Sequence, residues 1–254
     1  MIKQISKPIF VVTVTYGKRS HLLLKALESV FNEGVDCAIV VDNGSTEQIL
    51  LLITERFGDK VILISLDRNT GSANGYKVGL QAAFNASAEY ILLLDDDNIL
   101  EQGALKVLKN GWMSLDTELP ISDRIVLGFR LNILADIVDG VSKTHSSQSS
   151  NSFFGFHVKD IPFKLLRRTS WYRKSVAVKS LPLQISMKYA PYSGMFFHRE
   201  LLEKHGYPDD RLVLYADDYE FSYRVTRAGG SIRLMTDARM EDIESSWNSS
   251  SLSD

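Results

Sequence analysis

The strongest constraint on the fold is a regular alternation between strand-like and helix-like patterns across residues 1–113. Four β-branched or aliphatic runs, each typical of a buried strand, alternate with amphipathic patterns of helical period. The predicted strands cover 8–15, 36–42, 61–66 and 90–94, and the predicted helices begin at 20, 46, 72 and 101. Connections of this kind join parallel strands through helices that pack on both faces. The sequence therefore predicts an α/β fold with a Rossmann-like, mostly parallel sheet flanked by helices.

The second half of the chain is less regular. Strands are predicted over 124–131 and 192–198, and a helix over 217–228. The polar stretch 144–152 (THSSQSSNS) is typical of a mobile loop. No internal repeat or linker divides the chain, so we expect one domain over 1–254.

Composition and charge narrow the class of protein. A chain of 254 residues with 44% hydrophobic content can bury a sizeable core. The net charge of −2 gives no field suited to nucleic acid, so no nucleic-acid partner is expected. The single cysteine, Cys37, rules out a disulfide framework and suits a reducing compartment. Because no apolar run has the length of a membrane span and no signal segment opens the chain, we expect a cytoplasmic location.

The candidate site follows from the predicted sheet. In open α/β sheets, ligands bind beyond the carboxyl ends of the strands. Four loops are expected at that edge: Thr15-Tyr16, Asp42-Asn43, 67–75 and 95–97. Residues 43–45 (Asn-Gly-Ser) have the composition of a turn.

Three consecutive aspartates end the fourth predicted strand in the stretch YILLLDDDNIL. One interpretation is a solvated turn whose carboxylates cap the helix beginning near Glu101. The other is a site for Mg²⁺ or Mn²⁺, which take a few carboxylate oxygens and leave positions open for substrate phosphates. If the segment is extended, Asp95 and Asp97 point one way and Asp96 the other.

The glycine-rich stretch 69–79 (NTGSANGYKVG) follows the third predicted strand. It has neither a Walker A sequence nor the pattern G-x-G-x-x-G, so ATP and dinucleotide sites lose support. A loop with Gly71 and Gly75 that enters a helix allows the backbone to approach a ligand closely. A tight turn with close helix packing explains the glycines equally well.

A second acidic pair, Asp217 and Asp218, opens the last predicted helix. Taken alone, the pair is typical of helix capping. Beside a metal-diphosphate site, the same pair can supply a general base, because neighbouring carboxylates raise one another's pKa.

The order of these motifs resembles the family-2 glycosyltransferases with the GT-A fold. The resemblance is carried by 11–18 (VVTVTYGK), 40–47 (VVDNGSTE), 92–98 (LLLDDDN) and 214–230 (LYADDYEFSYRVTRAGG). Gly17 stands where the family often has Asn, and Asp217-Asp218 stands where it often has Glu-Asp. The resemblance implies a GT-A domain whose half 1–113 binds the nucleotide-sugar and whose irregular half 114–254 carries the acceptor side and the catalytic pair.

The resemblance also implies roles for single residues. Asp218 is the expected general base and Asp217 its acidic neighbour, while Asp95 and Asp97 are the expected ligands of Mn²⁺ or Mg²⁺. The expected contacts to the nucleotide-sugar are made by Thr15, Tyr16, Asp42, Asn69, Gly71 and Asp96. The implied reaction inverts the anomeric configuration and uses a UDP- or dTDP-sugar as donor.

Some relatives supply a metal-binding histidine after the acidic pair, but no histidine follows His205 here. Asp242 or Glu244 is the expected replacement, and a continuation of the natural chain beyond residue 254 stays open. The pattern is most similar to bacterial enzymes that transfer rhamnosyl or galactofuranosyl units to cell-surface or lipid-linked glycans. Segment 161–199 carries eight basic and no acidic residues, which fits either a peripheral membrane contact or a plain basic surface.

Two other functions stay open. A sugar-nucleotide nucleotidyltransferase has a similar sheet but needs a longer glycine-rich loop after the first strand than residues 16–19 provide. A non-catalytic carbohydrate-binding module could keep the fold, although the retained aspartates weigh against it. The oligomeric state is not predicted.

Overall fold

The computed structural model describes residues 7–115, 117–130, 181–212 and 216–244. Within them lie nine strands: β1 Ile9–Gly17, β2 Cys37–Ser45, β3 Val61–Leu66, β4 Tyr90–Leu93, β5 Asn98–Leu100, β6 Arg124–Arg130, β7 Gln184–Met187, β8 Met195–His198 and β9 Ser231–Asp242. The α-helices are α1 Ser20–Asn32, α2 Ile49–Phe57, α3 Ser72–Asn85, α4 Ala104–Met113, α5 Glu200–His205 and α6 Asp217–Arg227. The predictions for 144–152 and 161–180 lie outside the described residues.

The strands form one sheet in the order β3-β2-β1-β4-β8-β6-β9-β5, with β7 also paired to β9. Strands β1 to β4 are mutually parallel, and β8 runs antiparallel between β4 and β6. Strand β9 is parallel to β6, and both β5 and β7 are antiparallel to β9. Six strands therefore share one direction, which confirms the prediction of a mostly parallel sheet.

Helices cover both faces of the sheet, and each face has its own hydrophobic core. One core packs α1, α2 and α4 against the sheet, and Val11 belongs to it. The other core packs α3, α5 and α6 against the opposite face, and Val12 belongs to that one. The alternation of neighbouring β1 residues between two cores explains why the strand reads as a continuous apolar run.

Two glycines of the glycine-rich stretch allow α3 to lie close to the sheet. A Cβ added at Gly75 would lie 2.7 Å from a Val14 side-chain carbon, and one at Gly79 would lie 2.5 Å from Val12. These two glycines are therefore explained by helix–sheet packing, which is the second of the two sequence interpretations.

The structure corrects two of the predicted boundaries. Residues 43–45 continue β2 and do not form a turn, since Ser45 pairs with Gly17 across an irregularity in the register. Helix α4 begins at Ala104 because residues 98–100 form the short strand β5 against β9. No helix in the described part of the chain is long and apolar enough to cross a membrane.

Candidate active site

The predicted strand-end loops meet at one edge of the sheet. The Thr15 hydroxyl, at the end of β1, donates a 2.7 Å hydrogen bond to Asp96 in the turn after β4. The Asn43 side chain, near the end of β2, reaches the loop after β3, where it donates to the Gly71 carbonyl at 3.0 Å and accepts from the Thr70 amide at 2.9 Å. Four chain segments distant in sequence therefore come together where the sheet topology predicts a ligand site.

Gly44 is required by the approach of the loop after β3. Its φ is +77°, and an added Cβ would lie 2.6 Å from the Asn69 backbone nitrogen. The Asn69 side chain accepts a 2.9 Å hydrogen bond from the Gly71 amide, and Gly71, with φ of +89°, directly precedes α3. The Asn-Gly pair that suggested a turn thus serves as a contact point for the glycine-rich loop.

The three aspartates lie in a turn, closed by a hydrogen bond from the Asn98 amide to the Asp95 carbonyl at 3.2 Å. The alternation expected of an extended segment does not apply to this turn, in which Asp96 and Asp97 converge on the same guanidinium. The capping interpretation of the triplet is wrong. The first turn of α4 is instead served by Glu33, which accepts from the Gly103 and Leu105 amides.

That guanidinium belongs to Arg19, which the sequence analysis did not single out. Its Nε donates to both Asp96 oxygens at 3.0 Å, one terminal nitrogen reaches Asp97 at 2.7 Å, and the other reaches Glu244 at 2.8 Å. The Arg19 side chain is only 12% exposed. Burial opposes the charge, but the bonds to Asp96 and Glu244 outweigh it and raise the pKa of Arg19. Arg19 therefore carries its positive charge at the centre of the acidic cluster.

Asp95 faces a different set of partners. It accepts a 2.7 Å hydrogen bond from the hydroxyl of Tyr76, and its Oδ2 lies 3.8 Å from a terminal nitrogen of Arg130. Its amide donates to the Ser193 hydroxyl at 3.1 Å. With a side chain 42% exposed, Asp95 is the most open carboxylate of the triplet.

The triplet has the chemistry of a site for a hard divalent cation. Burial, together with the charges of Asp95 and Asp96, raises the pKa of Asp97 even though Arg19 acts in the opposite direction. Among the described residues, no three carboxylate, histidine or cysteine side chains converge closely enough to hold a metal ion alone. Mg²⁺ needs only one or two carboxylates plus substrate phosphates, so the residues present fit such an ion. Asp242 adds to the negative potential at Asp97, and the Ile243 amide donates to the Asp97 carbonyl at 2.8 Å.

The second acidic pair opens α6 as predicted, but no side-chain cap bond is made there. Asp217 is 3% exposed and accepts a 3.0 Å hydrogen bond from the Ser72 hydroxyl on α3. Asp218 accepts from the Tyr219 amide at 2.8 Å. Burial, followed by the charges of Asp217 and Asp95, raises the pKa of Asp218 to about 7. The charge of Asp95 acts on Asp218, so the two acidic groups belong to one site.

Two tyrosines in ring contact lie between the acidic groups. The rings of Tyr76 and Tyr192 lie with centroids 4.3 Å apart. Tyr76 bonds to Asp95, and the buried Tyr192 hydroxyl lies beside the carboxylate of Asp217. Burial and the charge of Asp217 raise the pKa of Tyr192, which stays a neutral hydroxyl.

The remaining predicted residues differ in their access to solvent. Thr15 is fully buried and Asp96 is nearly so, and both are less exposed to solvent than the Arg19 side chain. Tyr16 is 47% exposed, and the Arg19 guanidinium lies 5.2 Å from its ring centroid. Asp42, which is partly exposed, accepts from the Ser45 amide at 2.8 Å.

The sequence and the fold match a known family. The chain belongs to glycosyl transferase family 2, whose model matches residues 10–206. A curated relative is galactofuranosyltransferase GlfT1 of Mycolicibacterium smegmatis (strain ATCC 700084 / mc(2)155), 24% identical over 225 residues, which cover 86% of this chain and 65% of that protein.

Solved structures agree with that assignment at the level of the fold. Mannosyltransferase PcManGT from Pyrobaculum calidifontis, in complex with GDP-Man and Mn²⁺, has a TM-score of 0.58 at 17% identity, covering 94% of this chain and 58% of its own. GalNAc-T7 with UDP, GalNAc and Mn²⁺ has a TM-score of 0.63 at 13% identity, with 94% and 44% covered. The GT-A fold is therefore confirmed. The chain spans less than two thirds of the length of each of these proteins.

Proposed function

We propose that this chain is an inverting glycosyltransferase that moves a sugar from a nucleotide-sugar to a hydroxyl of an acceptor glycan. The observation that carries the proposal is the pairing of two acidic groups at one sheet edge, with the pKa of Asp218 raised to about 7. A carboxylate with that pKa is about half ionised at neutral pH and is basic enough to accept a proton from a hydroxyl. Membership of the family supports the class of reaction.

The donor is proposed to lie along the ends of β1, β2 and β3. Tyr16 and Asp42 are accessible for the base and ribose, and residues 69–71 lie beside them. Thr15 and Asp96 lie deeper, and their role is to hold Arg19 in place. A UDP- or dTDP-sugar is the proposed donor. Because PcManGT was solved in complex with GDP-Man, GDP-sugars are tested beside them.

Asp95 and Asp97 are the residues proposed to hold Mn²⁺ or Mg²⁺. Two solved structures of similar fold contain Mn²⁺, which supports this cofactor. Such a cation neutralises negative charge on a departing diphosphate. Tyr76 and Ser193 fix the position of Asp95 through its carboxylate and its amide.

Asp218 is proposed to take the proton of the acceptor hydroxyl. As that proton moves, the hydroxyl oxygen forms a bond to the anomeric carbon. The bond from this carbon to the diphosphate oxygen breaks, and the nucleoside diphosphate leaves with the electron pair. Attack occurs on the face opposite the leaving group, so one displacement inverts the configuration. Asp217, fixed by Ser72, contributes the neighbouring charge that keeps Asp218 basic.

The acceptor is proposed to contact the half 114–254 and to be a cell-surface or lipid-linked glycan. The similarity to a galactofuranosyltransferase supports a galactofuranosyl donor, and a rhamnosyl donor is kept as the alternative from the sequence pattern. A cytoplasmic enzyme that contacts the inner face of the membrane through 161–199 fits the eight basic residues of that segment.

Two other functions are kept as comparators. A nucleotidyltransferase needs a phosphate-binding loop after β1, and here Arg19, the last residue of the short stretch 16–19, is bound to carboxylates. A non-catalytic binding module would bind a carbohydrate without turnover of any nucleotide-sugar. A screen for binding and turnover separates the three functions.

The test is a thermal-shift screen of UDP-, dTDP- and GDP-sugars with and without Mn²⁺. A ligand at about 100 times its Kd raises the free energy of unfolding by roughly 2.7 kcal/mol, which is easily measured. We expect the shift to require Mn²⁺ and to disappear in Asp97→Ala. The exposed Asp59→Ala variant is the matched control. If no nucleotide-sugar stabilises the wild-type chain, the proposed function is wrong.

A further inference from the structure

Arg19 holds together three segments that the sheet brings to the active-site edge. It follows β1, and its partners lie in the turn after β4 and just beyond β9. Every guanidinium nitrogen contacts a carboxylate, with distances between 2.7 and 3.0 Å. One largely buried guanidinium thus faces three carboxylates. Its positive charge lies where the proposed function also requires a divalent metal ion.

The contacts of Arg19 to the two aspartates differ in strength. Asp96 receives hydrogen bonds on both oxygens from Nε and a 2.9 Å contact from one terminal nitrogen. It also accepts from Thr15, and its side chain is 4% exposed. Asp97 receives one guanidinium contact and is 17% exposed. Bidentate, charge-assisted pairs hold their geometry better than single contacts. A metal ion can therefore displace the guanidinium more easily from Asp97 than from Asp96, which stays bonded to Arg19.

We propose that Arg19 is a built-in counter-cation that competes with the divalent metal for Asp97. It neutralises the carboxylates before the metal arrives, and metal binding requires the guanidinium to release Asp97 while it stays on Asp96. The inference rests on the proposed function in taking Asp95 and Asp97 as the metal-binding carboxylates. Its consequence is a weak affinity for the metal alone.

The test is direct binding of Mn²⁺ without nucleotide, measured by electron paramagnetic resonance from the loss of the free Mn²⁺ signal. Removing a full positive charge in contact with a liganding carboxylate changes the electrostatic free energy substantially. Arg19→Gln is therefore expected to bind Mn²⁺ at least about tenfold more tightly than wild type. Arg19→Lys keeps one charge without the bidentate fork, so an intermediate affinity is expected.

Arg56→Gln is the matched control, because Arg56 pairs with Glu28 on exposed surface outside this cluster. The control should bind Mn²⁺ like wild type. Because Arg19→Gln leaves three carboxylates uncompensated, its thermal midpoint without metal should fall, and Mn²⁺ alone should restore it more than in wild type.

An affinity of Arg19→Gln for Mn²⁺ that is unchanged, weaker or unmeasurable overturns the inference, as does a variant that Mn²⁺ does not restabilise. The comparison contains no nucleotide. If nucleotide-sugars fail to bind the wild-type chain, the proposed function is therefore overturned. The comparison of Mn²⁺ affinity between Arg19→Gln and wild type is not affected by that outcome.

Discussion

Replacing Asp218 by Asn is expected to make the protein more stable at alkaline pH. The pKa of Asp218 is raised from 3.8 to about 7, chiefly by burial. At about 1.36 kcal/mol for each pKa unit, the ionised carboxylate costs the fold roughly 4 kcal/mol above pH 7. Asn carries no charge and keeps the oxygen that accepts from the Tyr219 amide.

The sign follows from the protons bound in each state. Between about pH 4 and pH 7 the folded protein holds a proton on Asp218 that the unfolded chain has lost, so wild-type stability falls as pH rises through that window. The gain in Asp218→Asn is therefore small at pH 4 and approaches its full value at pH 8.

The assay is urea unfolding at pH 4, 6 and 8 in the presence of a chelator, with free energies from linear extrapolation. The exposed Asp59→Asn variant is the control, and its difference from wild type should stay within about 0.5 kcal/mol at each pH. If Asp218→Asn is no more stable than wild type at pH 8, or if its gain does not grow with pH, Asp218 lacks the raised pKa that the proposed mechanism needs.

Three further outcomes are expected. Gly79→Ala should lose about 1–3 kcal/mol in urea unfolding, since its Cβ would lie 2.5 Å from Val12; a loss below about 0.5 kcal/mol would contradict the close packing. Thr15→Val should lose about 1–2 kcal/mol because Asp96 loses a buried donor, and Thr46→Val, at an exposed position, serves as its control. Asp97→Ala should abolish the Mn²⁺-dependent part of nucleotide binding by calorimetry, and unchanged binding would remove Asp97 from the metal site.

Local sequence patterns were sufficient for the elements that position the site. Strands β1, β2 and β4 are buried on both faces, so their apolar runs are long, whereas β3 lies at the edge of the sheet and is only partly buried. The topology then places Thr15, Asn43 and the aspartates at one edge. The acidic pair at the start of α6 was predicted for the same reason, because the amphipathic period after Asp217 is clear.

The parts that escaped prediction depend on contacts between distant residues. Arg19 meets Asp96 and Glu244 across 77 and 225 positions, and no local pattern reports such an ion cluster. Strand β5 has only three residues, too few to show a period, and it exists because β9 pairs with it. The one sequence signal that could have pointed to Arg19 is a basic residue shortly after β1, the strand that ends at the acidic edge of the sheet.

The most direct test of the central claim follows the anomeric signal of a nucleotide-sugar by NMR during turnover, using the donor that the thermal-shift screen selects. The account predicts a product with inverted configuration from the wild-type chain. It also predicts that Asp218→Asn binds the donor with undiminished affinity and produces none of that product. A product that retains the configuration, or full activity in Asp218→Asn, would contradict it.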